Sequence, residues 1–296
     1  MKKLIIILGV LGTSFSAILV RFSDAPSTVL AFYRMMWSVC LLCPLIALKH
    51  REELKTTGRR NVLLCVVSGV FLGAHFTCYF QSLRFTSIAS SVVLVDTEVF
   101  FVALGGVLFL KEKLTPANWL GIVITFGGSV VVAMGDCGGG QLPGDVIALA
   151  GAMCSAVYTL IGRKLRKNMS TTLYTWIVYF FAGMVTLTAS FCGGFEVVPV
   201  GMNNVLAAFG LAVLCTLLGH SIFSWGLKYE KASFVSTAKL LEPIFASVLG
   251  ILLFREIPSV TSAAGGAAVI LGIILCVLTG NKENNCKKEE NGSKSR

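Results

Sequence analysis

Charge is what this chain has least of. Asp, Glu, Lys and Arg make up 14% of its 296 residues, against about 25% in an ordinary soluble protein. So few charges cannot cover the surface of a soluble domain of this length, and a hydrophobic content of 55% excludes a disordered chain. There are three histidines and no H-E-x-x-H, D-D-x-x-D or serine-nucleophile motif, which leaves hydrolytic and metal-dependent chemistry without a signature. A phosphate-binding G-x-x-x-x-G-K-[ST] is also missing. Gly139 and Gly144 have the spacing, but Asp145 stands where lysine is needed, so the chain carries no ATPase of its own. The ten cysteines sit mostly inside apolar runs, not at the spacings of a disulfide-stapled domain. Cys40 and Cys43 form a C-x-x-C one helical turn apart, but no histidine or second pair completes a zinc site, and they read as small apolar residues of a membrane helix. No metal and no cofactor are expected.

What is abundant is long apolar sequence. A membrane-spanning helix needs about 20 mostly apolar residues. Ten such segments are found at 4–20, 28–48, 61–83, 87–110, 116–134, 143–162, 171–192, 202–226, 232–254 and 258–279. The first follows Lys2 and Lys3 but lacks a small-x-small cleavage site, so it reads as a retained helix. Residues 280–296 are polar and charged and read as a disordered cytoplasmic tail.

The net charge of +10 fits this count. With the N-terminus in the cytoplasm, 20 of the 25 Lys and Arg fall on inside segments: the N-terminal lysines, Lys49 to Arg60, Lys111 and Lys113, Arg163 to Lys167, Lys228, Lys231 and the tail. Arg21, Arg84 and Arg255 fall outside. This asymmetry places both termini inside a cytoplasmic (inner or plasma) membrane and accounts for the basic balance without nucleic acid.

The chain also repeats. An offset of 144 carries Glu98 onto Glu242, Phe101 onto Phe245, Gly106 onto Gly250 and Glu112 onto Glu256, then Gly121 onto Gly265 and Gly128 onto Gly272. Each glycine pair is seven residues apart, on one helix face, where small residues allow close helix packing. An offset of 142 carries Gly9 onto Gly151 and Thr13 onto Ser155. Five helices per half is an odd number, so the second half enters the membrane from the opposite side. The reading is an all-α polytopic membrane protein of ten transmembrane helices, built as two inverted five-helix repeats over 4–134 and 143–279. Inverted repeats are a construction principle of secondary transporters.

The stretch Leu110-Lys-Glu-Lys-Leu-Thr-Pro-Ala-Asn-Trp-Leu-Gly121 resembles the end of a module of the EamA family, in the drug/metabolite transporter superfamily. So does Leu241-Glu-Pro-Ile-Phe-Ala-Ser-Val-Leu-Gly-Ile-Leu-Leu-Phe-Arg-Glu256. The resemblance implies ten helices, pseudo-two-fold symmetry, alternating access around a central cavity, and carriage of small metabolites, commonly amino acids or related compounds, often outward. The chain departs from the family pattern at Val99, where Pro243 is the counterpart in the second half, so the fourth span is expected to be straighter than the ninth.

Charges at membrane depth carry the functional reading. Arg34 lies in the second span, Asp96 and Glu98 in the fourth, Lys239 and Glu242 in the ninth. Each costs roughly 2.5–3.5 kcal/mol at a helix centre, so these five should face one another or a water-filled cavity. Lys239 and Glu242 are three apart and can pair on one helix face. Asp96 and Glu98 point to nearly opposite sides, one toward a cavity and the other toward a neighbour, with Arg34 as the available partner. Pro243 withdraws a backbone donor and frees the Lys239 carbonyl, a break that marks either a transport site or a packing kink. His75 and His220 occupy near-equivalent positions one residue out of register and read either as helix-to-helix hydrogen bonds or as a proton-coupling pair. Tyr79, one turn after His75, Tyr33 and Tyr158 are candidate cavity walls. Glu112 and Glu256 read as hairpin anchors.

The expected function is a secondary active transporter of small metabolites, an exporter by family, with Glu98 and Glu242 binding a cationic or amino group or exchanging a proton. The expected partners are a small-molecule substrate and the lipid bilayer, with a homodimer left open. The rival readings are an intramembrane enzyme acting on a lipid or isoprenoid, and a passive channel.

Overall fold

The computed structural model describes residues 2–21, 23–82, 94–134, 142–198, 201–242 and 263–272, with a few isolated positions between them. The tail at 280–296, Pro243, Arg84 and Arg255 lie outside the described residues. Every regular element described is helical. In hydrocarbon each backbone N–H and C=O must be satisfied within the segment, and the helix does that.

The helices are α1 (Lys2–Ser14), α2 (Ser16–Arg21), α3 (Ser27–Lys49), α4 (Arg51–Thr56), α5 (Arg59–Ser82), α6 (Glu98–Leu110), α7 (Pro116–Met134), α8 (Leu142–Leu165) and α9 (Thr171–Cys192). The tenth, α10, runs over Met202–Gly226, and Leu211–His220 within it is π-helical. Ala232–Lys239 forms α11, and Ala263–Gly272 forms α12. Among the described residues, five helices are long and apolar enough to cross a membrane: α3, α5, α8 (from Val146), α9 and α10. Large apolar side chains such as Leu108 and Phe109 stand exposed on the outer surface. That suits a protein whose solvent is lipid and is costly in water.

The first span is interrupted at Phe15, between α1 and α2. The largest apolar core joins α3, α5, α8 and α9 around Met35, Leu72, Leu173 and Val178. A second core joins α1, α6, α10 and α11 around Ile6, Val102, Phe223 and Val235. Each core mixes elements from both halves of the chain.

The glycine face found in the sequence is a helix-packing face. A Cβ on Gly128 would stand 2.7 Å from the Gly265 carbonyl oxygen, and one on Gly272 would stand 2.8 Å from the Gly121 oxygen. So α7 and α12 touch backbone to backbone through the matched glycines, the first of one helix against the second of the other. That is an antiparallel, pseudo-symmetric contact.

Candidate functional site

The two repeat-matched glutamates follow matched breaks in the helix. In the fourth span Thr97 is a turn, and α6 starts at Glu98. The Thr97 hydroxyl donates to the Leu94 carbonyl at 2.6 Å, and Thr97 and Phe100 make i−3 backbone bonds. In the ninth span α11 ends at Lys239, and Leu240 and Leu241 also make i−3 bonds before Glu242. The fourth span thus has a break of its own, made by a threonine bonding back onto its helix, while Pro243, on which the expected comparison with the ninth span rests, lies outside the described residues.

Lys239 does not bond to Glu242. Its Nζ donates instead to Glu98 Oε1 at 2.7 Å, across the repeat boundary, with both side chains largely buried. The expected i,i+3 pair with Glu242 does not form, because the helical register that pairing needs ends at Lys239. Ser155 of α8 lies beside the Glu98 carboxylate, and Thr13 of α1 beside that of Glu242. Thr13 and Ser155 are themselves repeat-matched, so each glutamate leans on a hydroxyl from the opposite repeat.

Arg34 pairs with neither Asp96 nor Glu98. Its Nε donates to Thr216 Oγ1 at 2.7 Å, and its guanidinium lies 4.9 Å from the centre of the Phe76 ring. Thr216 sits in the π-helical stretch, its hydroxyl also donating to the Leu211 carbonyl five residues back. Tyr179 of α9 spans the same stretch, bonding to the Thr216 carbonyl at 3.5 Å and Ser221 Oγ at 3.0 Å. Asp96 Oδ2 is buried and makes no hydrogen bond among the described residues.

The two histidines are not equivalent. His75 Nδ1 bonds to the Gly151 carbonyl of α8 at 3.1 Å, the helix-to-helix role. At the offset of 144 its counterpart is Gly219, and a Cβ there would face the carbonyl of Gly9, the match of Gly151. His220 corresponds instead to Phe76, and the two rings meet with centroids 5.7 Å apart. Its Nδ1 is buried and unpartnered among the described residues. α10 is π-helical over Leu211–His220, where the matched part of α5 is α-helical. π-helical insertions gather at functional sites.

Tyr79 stacks on His75 at 6.3 Å. Tyr158 is buried, its hydroxyl 3.0 Å from Ser224 Oγ. Tyr33 bonds to the Val197 carbonyl, away from this cluster. The structure thus brings together Glu98, Lys239, Glu242, Asp96, Arg34, His75, His220, Tyr79 and Tyr158 where α1, α3, α5, α6, α8, α10 and α11 meet. It offers buried carboxylates, buried cations and two unpartnered polar atoms, enclosed by aromatic rings. Among the described residues no group of three or more His, Cys, Asp or Glu side chains is placed to hold a metal ion.

The EamA-like transporter family model matches residues 2–134 and 142–278. The chain belongs to this family. Its EamA modules cover nearly the whole chain, and membership makes it a multi-pass membrane transport protein, not an enzyme. It is 27% identical over 270 residues to a transporter of Archaeoglobus fulgidus, covering 88% of this chain and 91% of the relative. It is 26% identical over 275 residues to the pseudopaline exporter CntI of Pseudomonas aeruginosa, covering 91% and 94%. The human solute carrier family 35 member G1 is 22% identical over 84% of this chain and 71% of its own. One solved crystal structure superposes with a TM-score of 0.78 at 17% identity, covering 94% of this chain and 98% of that one, a likeness of fold alone.

Several residues of this cluster and its surroundings were not singled out in the sequence. Thr216, Ser224 and Tyr179 are polar residues in apolar helices, and no spacing marks them. Arg166 had been counted as a loop cation. It is 1% exposed, folding back to donate to the Ser224 and Met169 carbonyls and to Thr171 Oγ1. Glu112, read as a hairpin anchor, accepts from Arg163 Nε at 3.0 Å and from the Ala232 N–H at 3.2 Å. It borders a basic cleft of 320 Å³ with Lys111, Lys113, Lys167 and Lys231.

Proposed function

We propose that this EamA protein is a secondary transporter that moves a small metabolite carrying an amino or other cationic group across the cytoplasmic membrane. In this reading it has ten spans in two inverted repeats, both termini in the cytoplasm, and works by alternating access around the central cluster. The observation that carries the reading is the pair of repeat-matched glutamates, each set behind a helix break and against a hydroxyl of the other repeat. Buried ionisable groups at membrane depth mark substrate and ion pathways, and broken helices at a repeat interface are where transporters bind. The exporter named among its relatives supports outward movement.

The two glutamates divide the work. Glu98 is committed to Lys239 and holds the repeats together. Glu242 makes no ion pair among the described residues, so of the two glutamates it is the one free to receive a cationic group or trade a proton. Counterflow in proteoliposomes preloaded with a pooled metabolite extract tests the reading. Saturable exchange of labelled amino acids or amines is the expected outcome. No exchange from folded protein, with or without an imposed pH gradient, rejects it.

A further inference from the structure

At the basic face, Glu112 joins three segments. It belongs to the first repeat, just past the C-terminus of α6, where Lys111 turns the chain with a φ of 53° and the Glu112 N–H bonds back to the Gly106 carbonyl. Its Oε1 accepts from Arg163 at the end of α8 and from the N–H of Ala232 at the start of α11. Arg163 in turn donates from Nη1 to the Leu227 carbonyl at 2.6 Å, at the end of α10. One carboxylate and one guanidinium therefore tie the ends of α6, α8, α10 and α11 into a knot. These same four helices carry Glu98, the α8 hydroxyl beside it, His220 and Lys239 deeper in the membrane.

A simple hairpin anchor would bind its own hairpin, whereas among the described residues the side chain of Glu112 bonds only to the other repeat. The repeat supplies the same two residue types for the opposite face. The offset of 144 that carries Glu98 onto Glu242 carries Glu112 onto Glu256, and the offset of 142 that carries Thr13 onto Ser155 carries Arg21 onto Arg163. Glu256 and the side chain of Arg21 lie outside the described residues, so this match is one of sequence alone. Buried ion pairs between packed elements switch between discrete arrangements instead of deforming continuously, which suits them to holding one of two states.

We infer that Glu112 and Arg163 are positioning residues for transport, a latch that holds the basic face shut in one state of the transport cycle and must open in the other. The latch rests on the transporter reading of the central site, but its test needs no transported solute. The reporter is a cysteine at Tyr79→Cys in an otherwise cysteine-free chain, labelled with a membrane-impermeant maleimide in sealed vesicles of each orientation. Glu112→Gln should raise labelling from the basic face by about tenfold and lower it from the other, the response of a two-state equilibrium tipped one way. Arg163→Gln should do the same, and guards against a Glu112 variant that fails to fold. Glu112→Arg together with Arg163→Glu should restore the parental pattern. Unchanged labelling in the Glu112 and Arg163 variants, or an equal rise from both faces, overturns the latch and leaves an anchor. A wrong substrate class leaves these outcomes unaltered and would be exposed by the counterflow assay instead.

Discussion

The two repeats agree where helices must pack and part where charges must be placed. Gly121 and Gly128 of the first meet Gly272 and Gly265 of the second, backbone to backbone. Both repeats break a helix one residue before the matched glutamate. Yet Glu98 has an ammonium bonded at 2.7 Å, while Glu242 has a hydroxyl and the unbonded neighbourhood of Arg34 and Lys239. In the same way α5 is regular through His75 while α10 is π-helical up to His220. The common scaffold follows from duplication; in the proposed transporter the differences make one glutamate structural and leave the other free.

The largest predicted effect comes from breaking the Glu98–Lys239 pair on one side. Glu98→Gln strands a buried ammonium, and Lys239→Met strands a buried carboxylate. Each should destabilise by about 3–5 kcal/mol, whereas the double variant should recover most of that. Thermal unfolding in detergent measures all three, and equal losses in the double and single variants would erase the distinction between the glutamates. Next in size are Gly128→Ala and Gly272→Ala. Each forces a methyl against a facing carbonyl, at about 1–3 kcal/mol. Matched losses support the symmetric contact between α7 and α12, and a loss at only one breaks the symmetry.

Thr216→Val removes the acceptor from Arg34 and leaves a buried guanidinium N–H unmet, at about 1–3 kcal/mol. The substitution Leu72→Thr, at the matched place in α5, should bring no compensating gain, since no arginine waits there. Purified-protein unfolding again gives the sign.

The smallest effect lies outside the membrane, where Glu53 of α4 accepts from the Ser170 N–H at 2.6 Å and pairs with His50 Nδ1 at 2.9 Å. Partial burial pushes its carboxyl up, but the bonds from Ser170 and His50 outweigh that and hold it below its ordinary value. A lowered carboxylate adds stability that is complete above its unfolded-state value and is lost as pH falls through the folded-state value. Between pH 7 and 5 the contribution should stay constant, and it should fade only in acid below the ordinary 4.5. Solvent screening keeps it well under ~1 kcal/mol. Glu53→Gln should flatten that part of the unfolding profile, and a parallel profile would show that the bond contributes nothing.

Much of this architecture was legible in residue order. Apolar runs gave the helices, the 144 offset gave the matched glutamates, and the seven-residue glycine spacing gave the face through which α7 and α12 touch. Partners were harder to read. Regular helical geometry pairs Lys239 with Glu242, but the chain stops being helical between them, and Thr97 gives no warning because a threonine bonds back to its own helix only when packing turns it there. Pairing Arg34 with a carboxylate was the electrostatic default. A threonine acceptor on the π-helical stretch of α10 has no periodic trace, since the hydrophobicity of the segment is uninterrupted there.

The most direct test of the division between the glutamates is proton-driven flux in proteoliposomes for Glu242→Gln. Glu242 makes no ion pair among the described residues, so the variant should fold with an unfolding temperature near that of the parent. It should lose pH-driven flux by about a hundredfold or more, the scale expected when a buried polar recognition group is left unmatched. Parental flux in a correctly folded Glu242→Gln protein would contradict the account and return the coupling role to Glu98.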